Sequence, residues 1–182
     1  MKEELIISGF GGQGVLSMGK LLAYAGMMEG KEVSWLPAYG PEQRGGTANV
    51  TVIVSDNKIS SPILSTYSTA ILLNQPSLER FTPQIKAGGT LIFDSYGIVA
   101  PPERKDIDIY QINAMDAAAA LKNIKTFNMV ILGGLIKIHP IVSVENIGKA
   151  LYKTLPERHY GLIPINEKAL LKGMEIIKKI EL

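Results

Sequence analysis

Glycine and glutamine residues near the N-terminus have a spacing that could bind a phosphate group. The glycine loop, residues 9–14, contains Gly9, Gly11, Gly12, Gln13 and Gly14. A short apolar stretch typical of a buried strand precedes this loop, and an apolar helical pattern follows it. A loop of this kind directs free backbone N–H groups and the positive end of a helix dipole at one spot, which suits an anion. These residues are therefore predicted to bind a ligand, and a tight turn that needs glycine only for steric reasons is the alternative.

The spacing of Gly9, Gly11 and Gly14 also fits the dinucleotide fingerprint G-x-G-x-x-G. That fingerprint expects an acidic residue at the end of the second strand, about 20 residues further on. Here the second predicted strand, Val33–Leu36, is followed directly by Pro37. A free-standing NAD- or FAD-dependent oxidoreductase is thus a rival hypothesis for which the acidic residue is missing.

A loop rich in proline and glycine is predicted after that strand, over residues 37–46. Loops of this length inside a domain usually have a binding or contact role. Tyr39 offers an aromatic face, Glu42 a carboxylate and Arg44 a guanidinium fork for carboxylate or phosphate. The alternative is a solvated connector in which Glu42 and Arg44 pair with each other.

Polar residues also fall at the ends of predicted parallel strands. Ser8, Asn74 and Asp94 each follow an apolar stretch of this type. The carboxyl edge of an open α/β sheet is where ligands bind, although helix capping explains each residue singly. We predict that Asn74 and Asp94 belong to a polar sheet edge beside the glycine loop.

The whole pattern predicts an α/β fold. We expect a Rossmann-like three-layer domain over residues 1–182, with a mostly parallel sheet and an added antiparallel hairpin. The hairpin is predicted from Thr47–Ser55, returning through Lys58–Ser60. The face of this hairpin that carries Asn49 either docks another protein or is the solvated side of the sheet. The predicted helices include residues 77–85, 114–123, 127–138, 143–155 and 167–180.

Composition excludes several classes of function. The chain has no cysteine, so it has no thiolate-held iron–sulfur cluster, cysteine nucleophile or disulfide. Its net charge of +2 does not indicate a basic surface for nucleic acid. No apolar run approaches the roughly 18 residues of a membrane span. His139 and His159 have no ligand-type spacing. We therefore predict a cytoplasmic protein with no metal site, no visible catalytic residue and no nucleic-acid or membrane partner.

Three segments together resemble the gamma subunit of 2-oxoacid:ferredoxin oxidoreductases, in the pyruvate/ketoisovalerate oxidoreductase catalytic domain family. They are GFGGQG at residues 9–14, YGPEQRGGTAN at residues 39–49 and FNM at residues 127–129. Their order and spacing agree with the family over essentially the whole chain. The glycine loop is a weak motif alone, whereas Tyr-Gly-Pro-Glu-x-Arg-Gly-Gly at this distance from it is specific.

The resemblance implies a subunit of an enzyme that converts a 2-oxoacid, CoA and oxidised ferredoxin to acyl-CoA, CO₂ and reduced ferredoxin. Thiamine diphosphate, Mg and the iron–sulfur clusters would be held by the alpha and beta subunits and, where present, a delta subunit. Ferredoxin would be an indirect partner, and the isolated chain would be inactive and could pair with itself. The resemblance also implies a surface facing the catalytic subunits and CoA, formed by Tyr39, Gly40, Pro41, Glu42, Arg44, Gly45, Gly46 and Asn49. A scaffold subunit without ligand is the remaining alternative.

The second segment also bears on the oxoacid. Its GPEQRGGTAN form looks more like the 2-oxoglutarate and branched-chain enzymes than the pyruvate enzymes, which tend to have FGPERRGA. On this lineage argument, 2-oxoglutarate ranks first, 2-oxoisovalerate second and indolepyruvate third.

Overall fold

A computed structural model describes residues 1–39, 46–100 and 102–181 of the chain. Seven strands form one sheet in the order β2-β3-β1-β4-β5-β6-β7. The strands are β1 (Lys2–Phe10), β2 (Glu32–Tyr39), β3 (Thr47–Ser55), β4 (Tyr67–Leu72), β5 (Ile85–Asp94), β6 (Asp108–Ile112) and β7 (Lys178–Ile180). The helices are α1 (Val15–Met28), α2 (Gln75–Phe81), α3 (Ala114–Ala120), α4 (Phe127–Ile138), α5 (Val144–Thr154) and α6 (Ile163–Ile176).

Five of the seven strands point in the same direction. The pairings of β1 with β4, β4 with β5 and β5 with β6 are parallel. β3 is antiparallel to both β1 and β2, so β2 points the same way as β1, and β7 is antiparallel to β6. The prediction of a mostly parallel α/β sheet with an antiparallel addition is confirmed.

The two faces of the sheet carry separate hydrophobic cores. The larger core packs α1, α3, α4, α5 and α6 against strand residues such as Leu5, Ile7 and Val52. The smaller core lies on the other face, where Leu78 and Phe81 of α2 pack against alternate strand residues. Successive residues of a strand point to opposite faces, and the central strands are apolar on both. The sheet is therefore the middle of three layers, and within the described ranges α2 is the one α-helix on its second face.

The added hairpin is β2–β3, which differs from the prediction. Residues 58–60 form no strand, because both edges of β3 are already paired with β1 and β2. β2 also continues through Pro37, where a loop is predicted. β2 is the edge strand of the sheet, and a proline is tolerated at an edge because its missing N–H need not join a ladder.

Three predicted helices have different bounds. α3 ends at Ala120, so the helix predicted over residues 114–123 is three residues too long. α6 begins at Ile163 and ends at Ile176, so the predicted helix over residues 167–180 is wrong at both ends. Lys178–Ile180 pairs with β6 instead. The backbone N–H and C=O groups at the free edge of β6 can hydrogen-bond to a strand but not to a further turn of helix. The helix predicted over residues 77–85 is α2 followed by a 3₁₀ turn at Thr82–Gln84, and Ile85 already belongs to β5.

A carboxylate joins the end of α1 to the start of α5. Glu29 follows the last residue of α1, and its Oε1 accepts hydrogen bonds from the Ser143 backbone N–H at 2.6 Å and the Asn146 Nδ2 at 3.0 Å. Lys31 lies 3.0 Å from the same carboxylate. Burial alone would raise the pKa of Glu29, but the bonds from Asn146, Ser143 and Lys31 outweigh it and lower this pKa to about 2.

The helices contain no membrane-spanning candidate. Within the described residues, none of them is both long enough and apolar enough to cross a bilayer.

Candidate functional site

The glycine loop lies at the carboxyl end of β1 and leads into α1. Gly14 is the N-cap residue of α1 and has φ of 76°, and Gly12 has φ of 97°. Residues with a side chain rarely adopt these conformations, so the loop needs glycine at both positions. No side chain caps α1, and the first N–H groups of the helix therefore face the loop.

The side chain of Gln13 folds back beneath this loop. Its Oε1 accepts a hydrogen bond from the Phe10 backbone N–H at 2.6 Å, and its Nε2 donates to the Leu73 carbonyl at 3.3 Å. A Cβ on Gly9 would lie 2.5 Å from Gln13 Oε1, so the amide fills the space that glycine leaves. Gln13 thus connects β1 to the end of β4 and holds the shape of the loop.

Several backbone N–H groups of the glycine loop are already hydrogen-bonded within the chain. The N–H of Phe10 donates to Gln13, that of Gly11 donates to the Gly46 carbonyl at 3.1 Å, and that of Gln13 donates to the Phe10 carbonyl at 3.2 Å. The predicted anion site can therefore use only some of the N–H groups of the loop. The loop donors left for an anion are the N–H groups of Gly12 and Gly14, next to those at the start of α1.

The start of α4 adds a residue that site prediction missed. Asn128, in the first turn of α4, packs directly on Gly14, where an added Cβ would lie 2.7 Å from the Asn128 Cβ. The N-cap residue of α4, Thr126, makes no side-chain capping bond. α1 begins at Gly14 without a side-chain cap and contributes positive potential there. α4 instead continues from a 3₁₀ turn at Ile124–Thr126, in which the Asn123 side chain is the cap and the Phe127 N–H donates to the Ile124 carbonyl. The FNM segment was the available signal, but its spacing does not indicate which residue it contacts.

Asn74 and Asp94 lie at the predicted sheet edge, but each has a structural contact. Asn74 is buried, and its Oδ1 accepts from the Ser77 N–H at 2.8 Å as the N-cap of α2. Its Nδ2 has no partner among the described residues. Asp94 accepts from the Ala114 N–H at 2.8 Å and the Tyr96 N–H at 3.1 Å. Burial raises the pKa of Asp94 although these backbone hydrogen bonds act to lower it.

Ser8 also lies at this edge and belongs to a buried hydroxyl pair. Its Oγ is 2.8 Å from the Ser77 Oγ. The pair joins the end of β1 to α2, and the Leu73 N–H donates to the Ser8 carbonyl at 2.9 Å. Ser8, Asn74 and the glycine loop are therefore brought together, whereas Asp94 lies two strands away from β1 and holds the start of α3.

Only part of the predicted second loop falls within the described residues. Gly46 is bonded to the glycine loop through its carbonyl, and Asn49 stands opposite Ser8 in the pairing of β3 with β1. Tyr39 ends β2. Five predicted surface residues lie outside the described residues, namely Gly40, Pro41, Glu42, Arg44 and Gly45.

The histidines and acidic residues form no metal centre in the described part of the chain, where no three of them cluster as ligands. His139 ends α4, where its N–H donates to the Leu135 carbonyl at 2.8 Å and its Nε2 lies 2.9 Å from the Thr90 Oγ1. Its role is therefore structural.

Comparison with known proteins gives a consistent set of relatives. Residues 4–176 match the family model for pyruvate ferredoxin/flavodoxin oxidoreductase. The 2-oxoglutarate synthase subunit KorC of Methanocaldococcus jannaschii is 31% identical over 184 residues, which cover 99% of this chain and 96% of KorC.

Two solved structures have the same fold. The gamma subunit of a keto/oxoacid ferredoxin oxidoreductase from Geobacter sulfurreducens superimposes with a TM-score of 0.83 and 28% identity, over 97% of this chain and 96% of that chain. The 2-oxoglutarate:ferredoxin oxidoreductase from Magnetococcus marinus, solved with 2-oxoglutarate, coenzyme A and succinyl-CoA bound, gives a TM-score of 0.87 and 25% identity. The match covers 96% of this chain but 30% of that chain.

Some relatives are much longer than this chain. The ketoisovalerate oxidoreductase subunit VorA of Methanothermobacter thermautotrophicus is 52% identical over 89 residues, which are 49% of this chain and 19% of VorA. The chain thus spans about a fifth of the length of that curated relative.

Proposed function

The chain belongs to the pyruvate ferredoxin/flavodoxin oxidoreductase family as a domain of the gamma-subunit type, and we propose that it serves as the gamma subunit of a 2-oxoacid:ferredoxin oxidoreductase. The complex would convert a 2-oxoacid, CoA and oxidised ferredoxin to acyl-CoA, CO₂ and reduced ferredoxin. In this proposal the partners are the alpha and beta subunits, with a delta subunit where one exists, and the complex works in the cytoplasm. The single domain of residues 1–182 is the unit that assembles.

One structural observation supports this proposal most directly. The three segments that carry the family resemblance lie far apart in sequence and meet at one site. Gly11 is hydrogen-bonded to Gly46 at 3.1 Å, and Gly14 packs against Asn128. A family signature that converges on the carboxyl edge of the sheet, where α/β proteins bind ligands, supports a shared functional surface.

The site is best suited to the phosphate end of CoA. The first N–H groups of α1 supply positive potential without a cationic side chain. The Magnetococcus marinus enzyme was solved with coenzyme A bound, and its fold matches 96% of this chain. We therefore assign Gly12, Gly14 and Asn128 to anion contacts and Gln13 to holding the loop.

The redox and decarboxylation chemistry is assigned to other subunits. A chain without cysteine offers no thiolate for an iron–sulfur cluster. In this proposal, the steps of the reaction take place on the other subunits. Its contribution in this proposal is to complete the assembly and to position CoA.

The proposed oxoacid is 2-oxoglutarate, with 2-oxoisovalerate second and indolepyruvate third. KorC, a 2-oxoglutarate synthase subunit, matches nearly the whole chain, which favours the first choice. The VorA match has higher identity but covers half of the chain, which keeps the branched-chain substrate second.

The rival NAD or FAD enzyme has little support. β2 carries no acidic residue from Val33 to its end at Tyr39, where a ribose-binding carboxylate would lie. The loop N–H groups of Phe10, Gly11 and Gln13 are also engaged within the fold.

The proposal is tested by purifying the tagged chain from its own cells at native level. The eluate is assayed for ferredoxin reduction that depends on both CoA and a 2-oxoacid, one oxoacid at a time. We expect copurifying thiamine-dependent subunits and the highest activity with 2-oxoglutarate. Turnover by the chain alone would contradict the proposal.

The second loop is tested separately with Arg44→Ala. We propose that Arg44 faces the catalytic subunits, so this variant should impair assembly or CoA-dependent turnover while the unfolding free energy changes by less than about 0.5 kcal/mol. A variant that unfolds would show that Arg44 is structural instead.

A further inference from the structure

The helices that follow β1 and β4 lie on opposite faces of the sheet. α1 follows β1 and packs into the larger core on the first face, whereas α2 follows β4 and packs into the smaller core on the second face. β1 and β4 are neighbours in the sheet and run parallel. In open α/β sheets, ligands bind in the crevice outside the carboxyl ends of two such strands. The ends of β1 and β4 therefore form the place in this sheet where a bound molecule is expected.

The two strands separate at this point and leave a gap. Their parallel pairing ends with Ser8 opposite Leu72. β1 continues to Phe10 alongside β3, while the chain turns after β4 into α2, with Asn74 as the N-cap of that helix. The side-chain amide of Gln13 spans the gap, because it is bonded to the Phe10 N–H on one side and to the carbonyl just after β4 on the other. The β1–β4 crevice is the space bounded by Phe10, Asn74 and the Gln13 amide.

An exposed aromatic side chain forms one wall of the β1–β4 crevice. Phe10 is the second residue of the glycine loop and is 42% exposed. Alternation along β1 directs its ring to the second face of the sheet, as it does for Ile6. Gly12 in the same loop would meet no atom within 4 Å if it carried a Cβ, so the loop has open space beside it. This arrangement suits a nucleotide, because a base can stack on the ring while its phosphates accept from backbone N–H groups.

A buried amide without a hydrogen-bond partner lies in the opposite wall. Asn74 is 1% exposed and its Oδ1 caps α2, but its Nδ2 has no partner among the described residues. Continuing the pairing of Ser8 with Leu72 by two residues places Asn74 across from Phe10 and on the same face. Leaving a buried donor without an acceptor costs free energy, and native proteins nearly always supply one. Asn74 thus offers a hydrogen-bond donor to the edge of a ring stacked on Phe10.

We infer that the β1–β4 crevice is an adenine-binding subsite. The base stacks on Phe10, the Asn74 Nδ2 donates to a ring nitrogen of the base, and the attached phosphates lie at Gly12, Gly14 and the start of α1. This inference rests on the proposed function and deepens it, because coenzyme A is an adenine nucleotide. It assigns the nucleotide end of CoA to this chain and leaves the pantetheine arm, with its thiol, to extend toward the other subunits.

The test uses Phe10→Leu in the complex assembled with the native partner subunits. Leucine keeps an apolar side chain but removes the aromatic face, and Phe10→Tyr restores that face. The matched control is Trp35→Leu, which removes an aromatic side chain that is 37% exposed and lies on the other face of the sheet, against Gly19 of α1. Dissociation constants are measured by calorimetry for CoA, for ADP, which carries the base and phosphates, and for phosphopantetheine, which carries a phosphate and the arm.

We expect Phe10→Leu to weaken the binding of CoA and ADP roughly tenfold and to leave the binding of phosphopantetheine unchanged. Phe10→Tyr and the Trp35→Leu control should bind all three probes as the unmodified complex does. Equal affinities of the unmodified complex and Phe10→Leu for ADP would overturn the inference while leaving the proposed function intact. An equal loss for ADP and phosphopantetheine would also overturn it, because Phe10 would then shape the loop rather than hold the base. An unmodified complex that binds no CoA would instead contradict the proposed function.

Asn74→Asp tests the second contact with the base. The variant keeps the oxygen that caps α2 and replaces the N–H donor with a second oxygen. We expect it to weaken the binding of CoA and ADP roughly tenfold and to spare phosphopantetheine, and thermal unfolding checks that the complex stays folded. Unchanged affinity for ADP in a folded Asn74→Asp complex would overturn the assignment of Asn74, since its Nδ2 would then bond only to buried water.

Discussion

At the scale of single residues, the glycine loop is held by contacts that its spacing alone does not indicate. The sequence predicts a strand, a glycine turn and a helix start, and these are present. The inward direction of Gln13 depends on the carbonyl of Leu73, which is 60 residues away. The contact of Gly14 with Asn128 likewise joins two helices that no local pattern relates. A sequence pattern indicates which residues can form a turn, but long-range packing determines which groups remain for a ligand.

Gly14→Ala should destabilise the chain for two separable reasons. The substitution forces a side chain into φ of 76° and places a Cβ 2.7 Å from the Asn128 Cβ. We expect a loss of about 2–3 kcal/mol in unfolding free energy, of which about 1 kcal/mol comes from the backbone. Urea unfolding measures it. When Gly14→Ala is made in an Asn128→Gly background, only the backbone part should remain. An equal cost in both backgrounds would show that the contact is unimportant.

Glu29 should give the chain an acid-dependent part of its stability. Its pKa is lowered from 4.5 to about 2, so the folded state favours the carboxylate. The stabilisation is therefore fully present above pH 4.5 and is lost as the pH falls toward about 2. Glu29→Gln should unfold at a lower urea concentration at pH 6 and show a smaller decrease between pH 5 and pH 2. The exposed Glu103→Gln serves as the control, and identical pH profiles for Glu29→Gln and the unmodified chain would contradict this account.

At the scale of elements, α4 and α6 pack backbone against backbone at two glycines. A Cβ on Gly133 would overlap the Leu170 carbonyl oxygen, and a Cβ on Gly173 would overlap the Val130 carbonyl oxygen. The apolar run of residues 127–138 predicts a buried helix, and its two glycines predict close approach by another backbone. The prediction is confirmed: α4 has both of the predicted bounds and is buried along most of its length.

Gly133→Ala and Gly173→Ala should each force the two helices apart. We expect each to cost about 3 kcal/mol or more of unfolding free energy, because the overlapping atoms are backbone and cannot rotate away. Gly161→Ala is the matched control, since no atom lies within 4 Å of a Cβ there. Thermal unfolding compares the three variants. A small change for both buried glycines would mean that the helices can separate without loss.

The elements that sequence could not predict are those that tertiary pairing determines. Residues 178–180 are predicted as the end of the last helix, yet they form β7 because the edge of β6 offers unpaired backbone groups. The predicted return strand at residues 58–60 fails for the complementary reason, since β3 has no free edge. In both places the order of the strands in the sheet decides which segments form strands. Local sequence patterns carry no information about that order.

At the scale of the whole molecule, the fold suits the proposed role of a subunit that works within a larger enzyme. The central strands are buried on both sides, and the glycine loop lies at the carboxyl edge between the start of α1 and Asn128 of α4. The apolar strands and the place of the glycine loop were predicted from the sequence, whereas the contact between the loop and the start of α4 was not. The molecule is thus organised as a part that completes a larger assembly.

The most direct test of this central claim is reconstitution of the enzyme from separately purified subunits, with and without this chain. CoA-dependent reduction of ferredoxin is measured with 2-oxoglutarate as substrate. The account predicts that the other subunits alone are inactive or weakly active, that this chain alone is inactive, and that mixing them restores turnover. Full turnover by the other subunits without this chain, or oxidoreductase activity of this chain by itself, would contradict the account.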